Sequence, residues 1–218
     1  MGEKKFDNRE NLIIEIHNSI THGIGAVLGI VFLVMLILPQ IRNHNLLGTV
    51  AYSIYGGCFI LMFLMSTIYH AVQPPKIKAI LRIFDHISIY YFIAGSFTPP
   101  ILLLTSGNFR IIFLILIWLI AIFGTVFKIA TYKNYDKLKS ISTLIYVGMG
   151  WLGVLLIRPI LRYASWKFLL LLVLGGLLYT IGTYFYKSKR FKYNHVIWHL
   201  FVLAAAIVHF NAFYFYLS

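Results

Sequence analysis

A helix needs about 20 predominantly apolar residues to cross the roughly 30 Å hydrocarbon core of a bilayer. This chain offers seven such runs, over residues 22–38, 46–69, 85–104, 111–131, 141–161, 166–186 and 195–217. Strands of a membrane barrel alternate polar and apolar positions over about 10 residues, whereas these runs stay apolar through several consecutive turns, so they predict helices. With 60% hydrophobic and 11% charged residues among 218, a water-soluble globule is excluded. The predicted fold is an all-α integral membrane protein, a seven-transmembrane helix bundle filling residues 1–218 as one domain behind a short segment, 1–16. No low-complexity stretch or internal repeat divides it. The opening residues MGEKKFDNRENLIIEIHNS carry both charge signs and lack a processing site, so the first span is expected to stay as its own anchor. Cys58 is the only cysteine, which excludes an intrachain disulfide and leaves it a packing residue of span two.

The formal net charge is +13, and its placement decides its meaning. Lys4, Lys5, Arg9, Lys76, Lys78, Arg82, Lys128, Lys133, Lys137, Lys139, Lys187, Lys189, Arg190 and Lys192 fall on one side of the spans, fourteen in all, against five on the other: Arg42, Arg110, Arg158, Arg162 and Lys167. Short loops rich in Lys and Arg stay cytoplasmic, which predicts an inside amino terminus and an outside carboxyl terminus in a multi-pass protein of the plasma membrane. Basic residues dispersed over short loops, without a recognition module, argue against nucleic acid as a partner. Anionic headgroups of the inner leaflet account for them.

Ionisable groups at membrane depth are costly, face a bundle interior or a cavity, and mark function. Here they fall in four places. Glu15, Asn18, Ser19 and His22 form one helical stripe leading into span one. Ser66 and His70 end span two, Asp85 and His86 begin span three, and His195 and His199 begin span seven. Span parity puts all four places at the cytoplasmic level. Histidines at i and i+4 project from one face and can hold one metal ion together. A third imidazole would give three nitrogens with a fourth position open, the pattern of catalytic rather than structural zinc. Spacing alone does not choose among His70, His86 and His22 for that third ligand. Asp85 is placed to hydrogen-bond a water there or orient a ligand, and Ser66 to support His70. The same residues would also serve as interhelical hydrogen-bond partners with no metal, at about 0.6–2 kcal/mol each.

Other features read structurally. Gly25 and Gly29 in span one, Gly148, Gly150 and Gly153 in span five, and Gly175, Gly176 and Gly182 in span six permit close helix approach. Pro99 and Pro100 predict a break or kink near the outer end of span three. His17 and His44 read as interfacial or loop residues. His209, ten residues beyond His199 and so about 15 Å deeper, reads as packing, with lining of a cavity as the alternative.

The segments EIHNSITHGIG, STIYH, LRIFDHISIYYFIAGSFTP, STLIYVGMGWLG and NHVIWHLFVLAAAIVHF resemble, in order and over nearly the whole chain, the signatures of the bacterial hemolysin III family. That family belongs to the progestin and adipoQ receptor superfamily, which includes the adiponectin receptors. The resemblance implies a seven-helix fold with a cytoplasmic amino terminus. It also implies zinc held by His70, His195 and His199, with Asp85 reaching the ion through water and Ser66 as the motif serine. Glu15, Asn18 and His22 match the polar signature before helix one.

Three function classes follow. One is zinc-dependent hydrolysis of a lipid amide or ester, because the alkaline ceramidases carry a similar Ser, His, Asp and His-x-x-x-His set; Asp85 and Ser66 would then be catalytic. A second is cytolysis, the role the family name implies, by a metal-independent pore. A third is a non-enzymatic sensor of membrane lipid composition, as the receptor relatives suggest.

Overall fold

The computed structural model describes residues 8–134, 137–188, 190 and 192–217. Residues 1–7 of the short amino-terminal segment, with Lys4 and Lys5, and also Lys189, lie outside the described residues. Among those described, seven helical segments are long and apolar enough to cross a membrane, so the chain is a multi-pass, all-α membrane protein.

Helix α1 runs from Asn8 to Arg42. At 1.5 Å per residue its 35 residues reach about 52 Å, more than a bilayer core needs, so it begins well before the apolar run at residue 22. Glu15, Asn18 and His22 therefore stand on continuous helix. One face of α1 turns Ile20, Ile24, Val27, Val31 and Val34 outward, where hydrocarbon rather than water solvates them. Asn45 caps α2 (Leu46–Ala71), its side chain accepting from the Gly48 amide at 3.1 Å. A three-residue link ends at Pro74, and Pro75 opens α3 (Pro75–Leu104), at a position where the missing N–H has no partner to lose. α4 spans Gly107–Ala130, α7 Trp166–Lys187 and α8 Asn194–Tyr216.

Of the break or kink expected at Pro99 and Pro100, the break does not occur: α3 continues as helix through both to Leu104. Neighbouring helices make proline tolerable in membrane helices, and Pro99 and Pro100 are both buried inside the bundle. The interruption falls instead in span five. There α5 (Lys139–Trp151) passes into a 3-10 stretch, Leu152–Leu156, before α6 (Ile157–Tyr163).

The glycines divide along the same line. A Cβ on Gly25 would fall 2.2 Å from Phe63 Cδ1, and one on Gly29 2.7 Å from Phe59 Cδ1, so α1 and α2 approach as closely as the sequence implies. Gly175 receives the His209 ring, and Gly182 the Cβ of Phe201. At Gly148, Gly150 and Gly176 a Cβ would meet nothing within 4 Å, and at Gly153 only Phe97 at 3.8 Å. The span-five glycines and Gly176 are thus not helix-approach points. The buried core is aromatic: Phe32 stacks on Phe210 at 3.7 Å, and Phe59, Phe63, Phe92, Tyr55 and Phe213 interlock behind it. Cys58 packs against Gly95.

Candidate metal centre

Up-and-down connectivity returns the start of α1, the end of α2, and the starts of α3 and α8 to one end of the bundle. Asn18 and His199, 181 positions apart in sequence, meet there. His195 and His199, one turn apart on α8, have ring centroids 4.6 Å from each other. The His70 ring of α2 lies 5.1 Å from His195 and 5.0 Å from His199. One nitrogen from each of the three falls within 4.8 Å of the others.

The hydrogen bonding divides each ring. His70 Nδ1 donates to Glu15 Oε2 at 3.2 Å. His199 Nδ1 donates to the Asn18 carbonyl at 3.2 Å, with the Thr21 hydroxyl at 3.3 Å. The Nε2 atoms of His70, His195 and His199 are all buried without a hydrogen-bond partner. An unpaired buried polar atom costs about 1–3 kcal/mol, and three such nitrogens on neighbouring rings are a set that a cation would satisfy. Histidines that bind metal almost always donate their second N–H to a carbonyl or carboxylate, as His70 and His199 do. The donor set therefore fits a divalent ion of the zinc type, to which three neutral imidazoles would offer three nitrogens.

Spacing left three candidates for the third ligand, and geometry separates them. His86 turns away: its Nδ1 donates to the Arg82 carbonyl at 2.7 Å and its Nε2 lies 3.3 Å from the Tyr186 hydroxyl. His22 stacks on the face of His199, centroids 3.6 Å apart at 15°, a position behind a ligand rather than beside it. Asp85 is buried, with Oδ2 3.5 Å from His86 Nδ1. Ser66 neighbours the Asp85 carboxyl, although its buried Oγ makes no hydrogen bond. Asn18 reaches the site through its backbone carbonyl.

His22 and Asp85 also form one end of a cavity of about 220 Å³. From them it runs between α3, span five, α7 and α8, past Phe92 and Trp151 to Pro100, Leu156 and Ile160. Asp85 and Pro100 are fifteen residues apart on α3, so the cavity extends about 22 Å along the bundle. The lining is mostly apolar, and the open glycines Gly150 and Gly176 belong to it. His209 both packs and lines: it contributes to the wall and donates from Nε2 to the Leu172 carbonyl at 3.1 Å. His17 is exposed on α1, and His44 sits in the loop before α2 with φ 53°.

Two site residues escaped the sequence reading. Thr21 continues the Glu15–Asn18 stripe by three residues, a signal that was present. Lys78, counted there only as a topological charge, forms an ion pair with Glu15, which no spacing rule announces.

Residues 11–210 match the family described as Haemolysin-III related. The chain belongs to that family. Among its relatives, Hemolysin-3 of Bacillus cereus is 39% identical over 93% of this chain and 91% of its own length. The Hemolysin-3 homolog of Bacillus subtilis (strain 168) is 40% identical, covering 93% of each chain. The human Monocyte to macrophage differentiation factor is 32% identical over 75% of this chain and 69% of its own. The matched region of this haemolysin-III-related chain takes in Glu15, His70, Asp85, His195 and His199 together, so the whole centre lies inside the family's common segment.

Proposed function

We propose that this haemolysin-III-related protein is a zinc-dependent hydrolase of a membrane-lipid amide or ester, working just beneath the cytoplasmic face of the cell membrane. The carrying observation is the set of three partnerless Nε2 atoms beside an apolar cavity of acyl-chain length. The excess of Lys and Arg in the loops at the same end supports the cytoplasmic placement and an inside amino terminus.

His70, His195 and His199 would hold the ion. Zinc, when bound, supplies Lewis acidity and brings the pKa of a water to about 7. The chain's own residues supply the rest. The cavity binds the acyl chain and excludes water from it, which orients the lipid's carbonyl toward the histidine end. Asp85, at the junction of cavity and histidines, takes the proton of the attacking water and returns it to the leaving group. Ser66 stands next to the Asp85 carboxyl and would orient it during the proton transfers. Membrane lipids are then both surroundings and substrate.

The test is metal analysis of detergent-purified protein beside mass-spectrometric assay of lipid hydrolysis. Wild type should carry one zinc per chain and release fatty acid, and a His195→Ala, His199→Ala double variant should do neither. Metal loss with unchanged hydrolysis refutes the reading. The name Hemolysin-3 borne by two relatives favours a second reading, cytolysis. Dye release from sterol-containing vesicles that persists in His70→Ala would place lysis outside the metal centre.

A further inference from the structure

Helix α1 contributes no metal ligand, yet it touches two of the three ligand rings on the side away from their free nitrogens. Glu15 is the charged member of this stripe. Its carboxylate receives His70 Nδ1 at 3.2 Å and the ammonium of Lys78 on α3. Lys78 in turn donates to the carbonyls of Tyr69 and Val72, at 3.3 and 3.1 Å. Those carbonyls belong to the last turn of α2 and the residue after it, the stretch that carries His70. The result is a closed loop of three helices: α2 carbonyls to Lys78, Lys78 to Glu15, Glu15 to His70.

A neutral imidazole carries its proton on either nitrogen, and only the Nδ1–H form leaves Nε2 as a lone pair for a metal. A carboxylate can only accept, so Glu15 selects that form and aims the ring. Helix α2 ends at Ala71, one residue past His70, where helices fray. A ligand in that position needs external orientation, and Lys78 provides it by satisfying carbonyls that have no intrahelical partner.

We infer that Glu15, anchored by Lys78, is the positioning residue that holds His70 ready for the metal, so that ion affinity depends on how α1 and α3 clasp the end of α2. This rests on the three-histidine reading above and adds to it a part played by helices that coordinate nothing.

The experiment is a Co²⁺ titration of the full-length protein in detergent, followed by visible absorption with a competing chelator, for wild type, Glu15→Gln, Glu15→Leu and Lys78→Met. Nitrogen NMR of labelled histidine reports the His70 tautomer alongside. Loss of such a hydrogen-bond partner costs about 10–100-fold in metal affinity, so Glu15→Leu should fall by that factor and lose the dominant Nδ1–H signal. Glu15→Gln keeps an acceptor oxygen and should recover most of both, while Lys78→Met should weaken binding several-fold. A purely structural role would move thermal stability in Glu15→Leu without changing tautomer or affinity. Wild-type affinity in Glu15→Leu overturns the inference while leaving the metal centre standing. If Glu15→Leu does not fold, unchanged affinity in both Glu15→Gln and Lys78→Met overturns it equally. No Co²⁺ binding by wild type overturns the metal reading itself, and this inference with it.

Discussion

Gly25 offers the sharpest test of how α1 sets the geometry of the centre. An alanine Cβ there would stand 2.2, 2.5 and 2.7 Å from Cδ1, Cε1 and Cγ of Phe63, where relaxed carbon contacts are about 3.5–4.0 Å. Phe63 cannot swing aside: it is fully buried, with the rings of Phe59 and His22 at 4.8 and 4.9 Å and Phe92 at 6.2 Å. The shortfall of about 1.3 Å must therefore appear as separation of α1 from α2. Overpacking of this kind costs about 1–3 kcal/mol. Gly→Ala also gains up to about 1 kcal/mol of helix propensity, so a control is needed. Gly57 lies on α2 with nothing within 4 Å of its would-be Cβ, and Gly57→Ala takes the propensity gain without the clash. At about 2–4 °C per kcal/mol for a chain of this size, Gly25→Ala should unfold about 2–12 °C below Gly57→Ala. Thermal unfolding in detergent, followed by size exclusion, measures it. The displaced α1 should also carry the Asn18 carbonyl, now 3.2 Å from His199, out of hydrogen-bond range and weaken metal binding about tenfold or more. Equal midpoints for the two variants would refute the claim that close approach of α1 and α2 is tight enough to position the site.

Further outcomes are expected. Asp85→Asn should keep its zinc yet lose lipid hydrolysis by about 10²–10⁴-fold, read by metal analysis and fatty-acid release on one preparation. His22→Phe, which preserves a flat ring against His199, should retain the metal, whereas His195→Ala should not; elemental analysis of the two separates a stacking partner from a ligand. Stripping the ion with a chelator should lower the unfolding midpoint, because an ion at 100 times its dissociation constant stabilises by about 2.7 kcal/mol, and added zinc should restore it.

Much of this architecture was legible in one dimension. Seven apolar runs dictate seven helices because lipid leaves the backbone no partner but itself. Parity then carries Glu15, His70, Asp85 and His195 to one level without any knowledge of packing. The i, i+4 pair on α8 declared a two-nitrogen face. Periodicity also marked Gly25 and Gly29 as a contact line, and they are one.

What periodicity could not supply was azimuth, the direction each helix turns toward its neighbours. His22, His70 and His86 stand at one depth, and only packing decides that His70 faces the α8 pair, that His22 stacks behind it, and that His86 looks toward Tyr186. Gly150 and Gly153 of span five are spaced like contact points, yet they border an open cavity, because the 3-10 stretch after Trp151 and the path of α7 decide what lies opposite them. Lys78 is the clearest case: as a charge it marks a side of the membrane, but its bond to Glu15 joins residues 63 positions apart. Sequence alone determined which residues share a depth, since depth follows from counting along a helix. The tertiary structure decided which of them meet, since meeting depends on rotations of independent helices that only their mutual packing sets.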